Sequence, residues 1–242
     1  MNLSLPALTI PALTLPVLVL CVLTCVIYFS TASIQQKLSL IWLNPILFSI
    51  VLIIALLLYW EVPYNEYFSA MQWLNHLIEF TVVALGYPLF KQLSHIKLHW
   101  KVILLILGLG AFVAILMSFM LTMLVISSPE IAISFSLKSV TTPIGVALTQ
   151  QLGGSSSITA VAIIIAGLLG AMLGLTWLKL INVKSNIAQG LAVGAASHVI
   201  GSAAMVKVSY IHAAYSSLAL IFSGLLTALI SPLLIPTLIK LF

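Results

Sequence analysis

The chain has 242 residues, of which 62% are apolar and 5% charged: nine lysines, four glutamates, and neither arginine nor aspartate. A soluble domain carries about 25% charged residues, so a soluble enzyme, a disordered chain and a disulfide scaffold are all excluded. The apolar stretches are continuous rather than alternating, which selects helices over a barrel. The net charge of +5 comes from lysines in short loops, the cytoplasmic signature of membrane proteins, and no nucleic-acid partner is expected.

An all-α polytopic membrane protein of seven to eight transmembrane helices is therefore predicted. A bilayer core needs about 20 helical residues, and the qualifying segments are 11–33, 41–60, 70–90, 102–126, 130–152, 156–177, 186–207 and 211–239. In the first, Pro6, Pro11 and Pro16 recur every five residues; proline breaks helix interiors, so order is expected from near Pro16. No basic residue precedes this stretch, so it reads as a retained helix rather than a signal peptide. Cys21 and Cys25 read as small helix- or lipid-facing residues. Residues 1–40 form an N-terminal helical region and 41–242 one transmembrane domain. Trp42 and Trp60 end the second segment, where interfacial aromatics belong.

In the third segment His76 and Glu79 share a helical face. Glu79 is a candidate for proton coupling, or a partner for Lys138 or His76. Lys91, Lys97 and Lys101 flank a short loop that also holds His95 and His99. Two histidines are an incomplete zinc set, so no metal site is expected, and no cofactor motif is present. Glu130 follows Pro129 at a helix start, where negative charge suits the macrodipole.

Two segments are interrupted by residues that lipid penalises. Segment 130–152 carries Lys138, Ser139, Thr141, Thr142 and Pro143; segment 186–207 carries Gly190, Gly194, Ser197, His198, Gly201 and Ser202. Paired Gly/Pro-interrupted segments point to the central site of a transporter, either as broken helices or as re-entrant hairpins, with an inverted repeat as one arrangement. Lys138 at mid-segment costs about 2.5–3.5 kcal/mol on insertion scales, so it needs a partner or a ligand. With the neighbouring hydroxyls and a half-helix starting at Pro143, it would hold a carboxylate; the alternative is a snorkelling or paired lysine. His198 would donate to the substrate or shuttle a proton, or make a structural bond between helices. Gly167, Gly170 and Gly174 form a small-residue face for close helix packing. If 130–152 returns to its own side, Lys37, Lys91, Lys97, Lys101, Lys179, Lys184 and Lys240 all share one side, as the lysine bias favours.

These residues carry a resemblance. "KSVTTPIGVALTQQLGG" with "SSSITAVAIIIAGLLGAMLG" resembles the signature region of the LrgB/CidB family, and "GLAVGAASHVIGSA" resembles its glycine-rich Ser-His segment. "NPILFSIVLIIALL" and "TVVALGYPLFKQL" fit as well, so that the likeness spans about 41–239. The family usually has Gly-Pro where Glu79-Phe80 stands, Gly for Val199 and Thr for Ser202. It commonly has an Arg and an acidic residue where Ala204-Met205 stands. The resemblance implies a multi-pass protein of the bacterial inner membrane, partnered by a smaller LrgA-type membrane subunit. Family members are described as holin/antiholin-like modulators of murein hydrolases and autolysis, and relatives carry glycolate, glycerate or pyruvate.

Two functions follow as expectations. The first is a secondary transporter of a small monocarboxylate, acting as a homo-oligomer such as a dimer. Lys138, Ser139, Thr141, Thr142, Pro143, Ser197, His198, Gly201 and Ser202 would bind the substrate, and Glu79 or His198 would couple protons. The alternative is a holin/antiholin-like modulator of autolysis. No nucleophile–base pair is visible, so no enzyme is expected.

Overall fold

The computed structural model describes residues 15–38, 44–72 and 86–241, with 74, 77, 80, 83 and 84 between. Pro6, Pro11, Trp42, His76 and Glu79 lie outside the described residues. Secondary structure among the described residues is helical, without strands. Five helical stretches are long and apolar enough to cross a membrane: Val17–Lys37, Ile96–Ile126, Ser156–Leu180, Asn186–Val206 and Tyr210–Ile239. The chain divides into two compact units, Met1–Ala84 and Leu85–Phe242.

In the first unit, α1 (Leu15–Leu38) packs on α2 (Pro45–Tyr59) and on α3 (Tyr64–Ala70). Asn44 caps α2 by accepting from the Ile46 amide at 2.9 Å, with Pro45 in the first turn; both choices satisfy or dispense with otherwise orphaned donors. Hydroxyls join the helices: Thr31 Oγ1 lies 2.9 Å from Ser49 Oγ, and Thr24 Oγ1 3.1 Å from Tyr67 Oη. Cys21 and Cys25 are free, and Cys21 Sγ reaches the Ala70 carbonyl at 3.4 Å. Val19, Val22, Val26 and Phe29 on α1 stay exposed.

The second unit begins with α4 (Gly86–Lys91) and α5 (Leu93–Ile126). Helix α5 starts well before residue 102, so Lys97, His99 and Lys101 stand on an exposed helical extension rather than in a loop. Each residue there is a fair helix former and no proline intervenes. After the left-handed Ser127 (φ 54°) come α6 (Pro129–Ser136), a non-helical stretch at 137–141, and α7 (Thr142–Leu152). Glu130 lies in the first turn of α6, and Pro143 in the first turn of α7. Helices α8 (Ser156–Leu180), α9 (Asn186–Val206) and α10 (Tyr210–Ile239) complete the unit.

Helices α5 and α10 run in the same direction. At one end Ile96, Ile103 and Leu107 cluster with Ala214, Tyr215 and Leu218. At the other, Ile115 and Phe119 cluster with Ile235 and Leu238, together with Ala132 and Ile133 of α6, Leu137 just after it, and Leu148 of α7.

The chain doubles back at 137–141. Had α7 continued the line of α6, its far end would stand about 16 Å further on, at 1.5 Å per residue. Instead the Ser155 amide donates to Ser134 Oγ at 2.8 Å, and Thr159 Oγ1 donates to the Ser134 carbonyl at 3.2 Å. Along α8, Thr149 meets Thr159 at 2.8 Å, and a Cβ on Gly145 would meet Ile163. Thus α7 runs antiparallel to α8.

Helix α9 folds at one residue. His198 has φ 41° and ψ −132°, inside an otherwise helical stretch. A Cβ on Gly201 would lie 3.1 Å from the Val193 carbonyl oxygen, although residues eight apart in a straight helix are separated by about 12 Å. Gln189 and Gly194 meet His212 and Ser216 in parallel order, while Ser202 Oγ donates back to the Ser216 carbonyl at 3.1 Å. Residues 186–197 therefore run with α10, and 199–206 run against it. Because this segment also turns back, Lys179, Lys184 and Lys207 fall at the Lys97 end of the unit and Lys240 at the other. Shared placement of all seven lysines required 186–207 to cross.

Candidate functional site

The two folded segments enter α8 from opposite ends, and their tips reach its middle third. Leu137 and Gly145 bracket the first tip beside Ile163, and His198 forms the second beside Ile163 and Gly167. The Ile163 carbonyl can only accept, so His198 Nε2–H donates to it, at 3.0 Å.

The first tip leaves its polar groups available. Lys138 is half-buried, as are Ser139 and Thr141, while Thr142 and Pro143 are exposed. Lys138 Nζ donates to Ser118 Oγ on α5 and, among the described residues, forms no ion pair. The hydroxyls of Ser139, Thr141 and Thr142 make no hydrogen bond among the described residues. The start of α7 adds backbone N–H groups and the positive end of its dipole. Lys138 also lines a cavity of about 540 Å³ with Phe135, Ser157, Val161, Ala162 and Ile165. The lining is apolar apart from Lys138 and Ser157, which leaves the lysine as its one cationic group.

The second tip spends its polar groups on packing. Ser202 bonds the Ser216 carbonyl and His198 the Ile163 carbonyl. Gly201 is buried, and any Cβ there would collide with Ser197 and Val193. Ser197 is fully buried against Gly170, and its Oγ has no partner in the protein. Gly167, Gly170 and Gly174 of α8 face His198, Ser197 and Val193, the close packing that their spacing predicts.

Lys138 and His198 occupy different faces of α8. Lys138 shares its cavity with Val161, Ala162, Ile165, Ala166 and Leu169, whereas His198 packs on Ile163 and Gly167, and Ser197 on Gly170. The structure therefore groups Lys138 through Pro143 at one tip, and Ser197, His198, Gly201 and Ser202 at the other, without joining them in one shell. Ser118 was missed from the sequence because a serine among apolar residues of a long helix carries no mark of its partner.

Five apolar helices and opposed folded segments define a multi-pass helical membrane protein. The sequence profile of the LrgB-like family matches residues 24–237, and the chain belongs to that family. "Holin-like protein CidB" of Staphylococcus aureus is 35% identical over 224 residues, covering 91% of this chain and 94% of that protein. An uncharacterized protein of Haemophilus influenzae is 31% identical over 210 residues, covering 87% and 91%. "Uncharacterized protein YxaC" of Bacillus subtilis is 32% identical over 218 residues, covering 88% and 93%. No solved structure matches the chain. With these relatives, the chain is a multi-pass protein of a bacterial membrane.

Proposed function

We propose that this chain carries a small monocarboxylate of the glycolate, glycerate or pyruvate type across the membrane. The observation that carries the reading is the pair of oppositely directed folded segments whose tips meet the middle of α8. We read both as re-entrant hairpins, entering from opposite faces, with α5, α8 and α10 as the crossing helices of the second unit. Non-helical backbone at such depth is tolerated where it lines a cavity, and it recurs at transporter midplanes. Lys138 binds the carboxylate, supported by Ser139, Thr141, Thr142 and the start of α7. Ser197, His198, Gly201 and Ser202 build the opposing tip and hold it in place. The family resemblance adds a smaller LrgA-type membrane subunit and a second copy of the chain as partners.

Proteoliposome uptake tests it. Saturable uptake of labelled glycolate or pyruvate that is lost in Lys138→Ala is the expected result; wild-type uptake in that variant overturns the binding role.

The names of the staphylococcal relatives favour a second reading, a holin/antiholin-like role in autolysis. It predicts unselective release of a trapped dye such as calcein from the same vesicles, indifferent to Lys138→Ala. Retention of calcein during carboxylate uptake separates the two.

A further inference from the structure

The lysine end of the second unit holds a cavity that neither tip uses. Its volume is about 480 Å³, and Lys179, Asn182, Lys184, Asn186, Gln189 and His212 line it. Its floor is fixed by a relay of bonds. Gln189 Nε2 donates to the Val183 carbonyl at 2.6 Å, which turns Oε1 toward the His212 ring. His212 Nε2–H then donates to Oε1 at 2.8 Å, and Ser209 Oγ donates to Nδ1 at 2.8 Å. Both ring nitrogens and the glutamine amide are thus committed to the frame.

The two lysines are different: both are exposed, and neither forms an ion pair or hydrogen bond among the described residues. The only acidic residue in 85–242 is Glu130, in the first turn of α6 at the opposite end of the unit. No carboxylate of this unit can neutralise them. Helices α9 and α10 both begin here, capped by Ser185 and Ser209, so two positive dipole ends add to the two ammonium groups. Two exposed cations, helix starts and neutral amide donors lining one open cavity suit a tetrahedral oxyanion.

We propose that this cavity binds a phosphate group, either as free phosphate or as the phosphodiester headgroup of an anionic lipid. Both sources present the same oxygens. A basic pocket at the end of membrane helices lies where headgroups lie. The site is independent of carboxylate transport, because Lys138 takes no part in it.

The test is thermal unfolding of the purified full chain in neutral detergent. Sodium phosphate is compared with sodium chloride at matched ionic strength, and short-chain phosphatidylglycerol with phosphatidylcholine. At ligand about a hundredfold above Kd, the midpoint should rise by about 5–10 °C. The rise should vanish in K179Q/K184Q and persist in K179R/K184R and in K138A. A rise with phosphate identifies a soluble ligand, and a rise with phosphatidylglycerol alone identifies a headgroup. Equal rises with chloride or phosphatidylcholine, or an undiminished rise in K179Q/K184Q, overturn the site. Should K179Q/K184Q fail to fold, amine acetylation of the wild-type chain decides. Bound phosphate or phosphatidylglycerol should slow the reaction at Lys179 and Lys184 severalfold, but not at Lys97 or Lys240; the same rate at all four overturns it.

Discussion

The two folded segments of the second unit reverse the chain in different ways. The first spends the non-helical residues 137–141 on its turn, and its hydroxyls bond to nothing among the described residues. The second turns at His198 alone and closes on Gly194 and Gly201, with its polar groups bonded to carbonyls or sealed in packing. A broad turn keeps donors available for a ligand. A sharp turn between tightly apposed helices has none to spare. In the proposed transporter the two tips therefore divide the work: chemistry on one, architecture on the other.

The largest expected effect lies on the architectural side. A Cβ on Gly194 would strike the Ser216 carbonyl and lie 2.6 Å from its Cα, and helix backbone cannot step aside. Gly194→Leu should leave no monodisperse protein by size-exclusion chromatography. Gly145→Ala at the first tip should be much milder, since its nearest neighbour is the movable Cδ1 of Ile163 at 2.6 Å; overpacking of that kind costs about 1–3 kcal/mol. Equal losses in Gly194→Ala and Gly145→Ala would erase the contrast between the tips. Next in size is Lys138→Ala, which should cut carboxylate uptake at least about tenfold, or about 1.4 kcal/mol, while the thermal midpoint holds or rises. An unpaired cation in an apolar setting costs stability, so a drop in midpoint would mark Lys138 as structural.

Much of this arrangement was legible in the sequence. Helical membrane character follows from composition, and both interruptions follow from polar and Gly/Pro residues where lipid would penalise them. Pro143 marked the restart of a helix at the first tip. The reversal at His198 was not legible. Gly194 and Gly201 read as interruptions that left a broken crossing helix and a hairpin both open, and nothing local says that 186–206 packs against itself as well as against α8 and α10. The separation of Lys138 from His198 was hidden for a related reason. Whether two tips share a cavity depends on which faces of α8 they meet, and that is set by tertiary packing rather than by either motif. The extent of α5 was obscured by lysines and histidines that read as a wet loop.

A pair of substitutions at His198 probes the sharp turn. Alanine keeps the positive φ and loses the bond to Ile163, whereas glycine loses the bond but accepts the backbone. The left-handed cost removed is about 1–2 kcal/mol, so His198→Gly should unfold at a higher temperature than His198→Ala. A reversed order would mean that the ring, rather than the backbone, sets the turn. Uptake lost in both variants despite intact folding would return His198 to the substrate.

The smallest effects separate Ser202 from Ser197. Ser202→Ala removes the donor to the Ser216 carbonyl, and one such bond contributes about 0.5–1.5 kcal/mol. Ser197 is buried without a partner for its Oγ, and an unmade bond leaves only the desolvation penalty of the hydroxyl. Ser197→Ala should therefore be neutral or slightly stabilising in thermal unfolding. Unchanged uptake in that variant would fit a packing role opposite Gly170. A stable Ser197→Ala chain that no longer accumulates carboxylate would show instead that the hydroxyl meets substrate during the cycle, and the division between the two tips would fail at that residue.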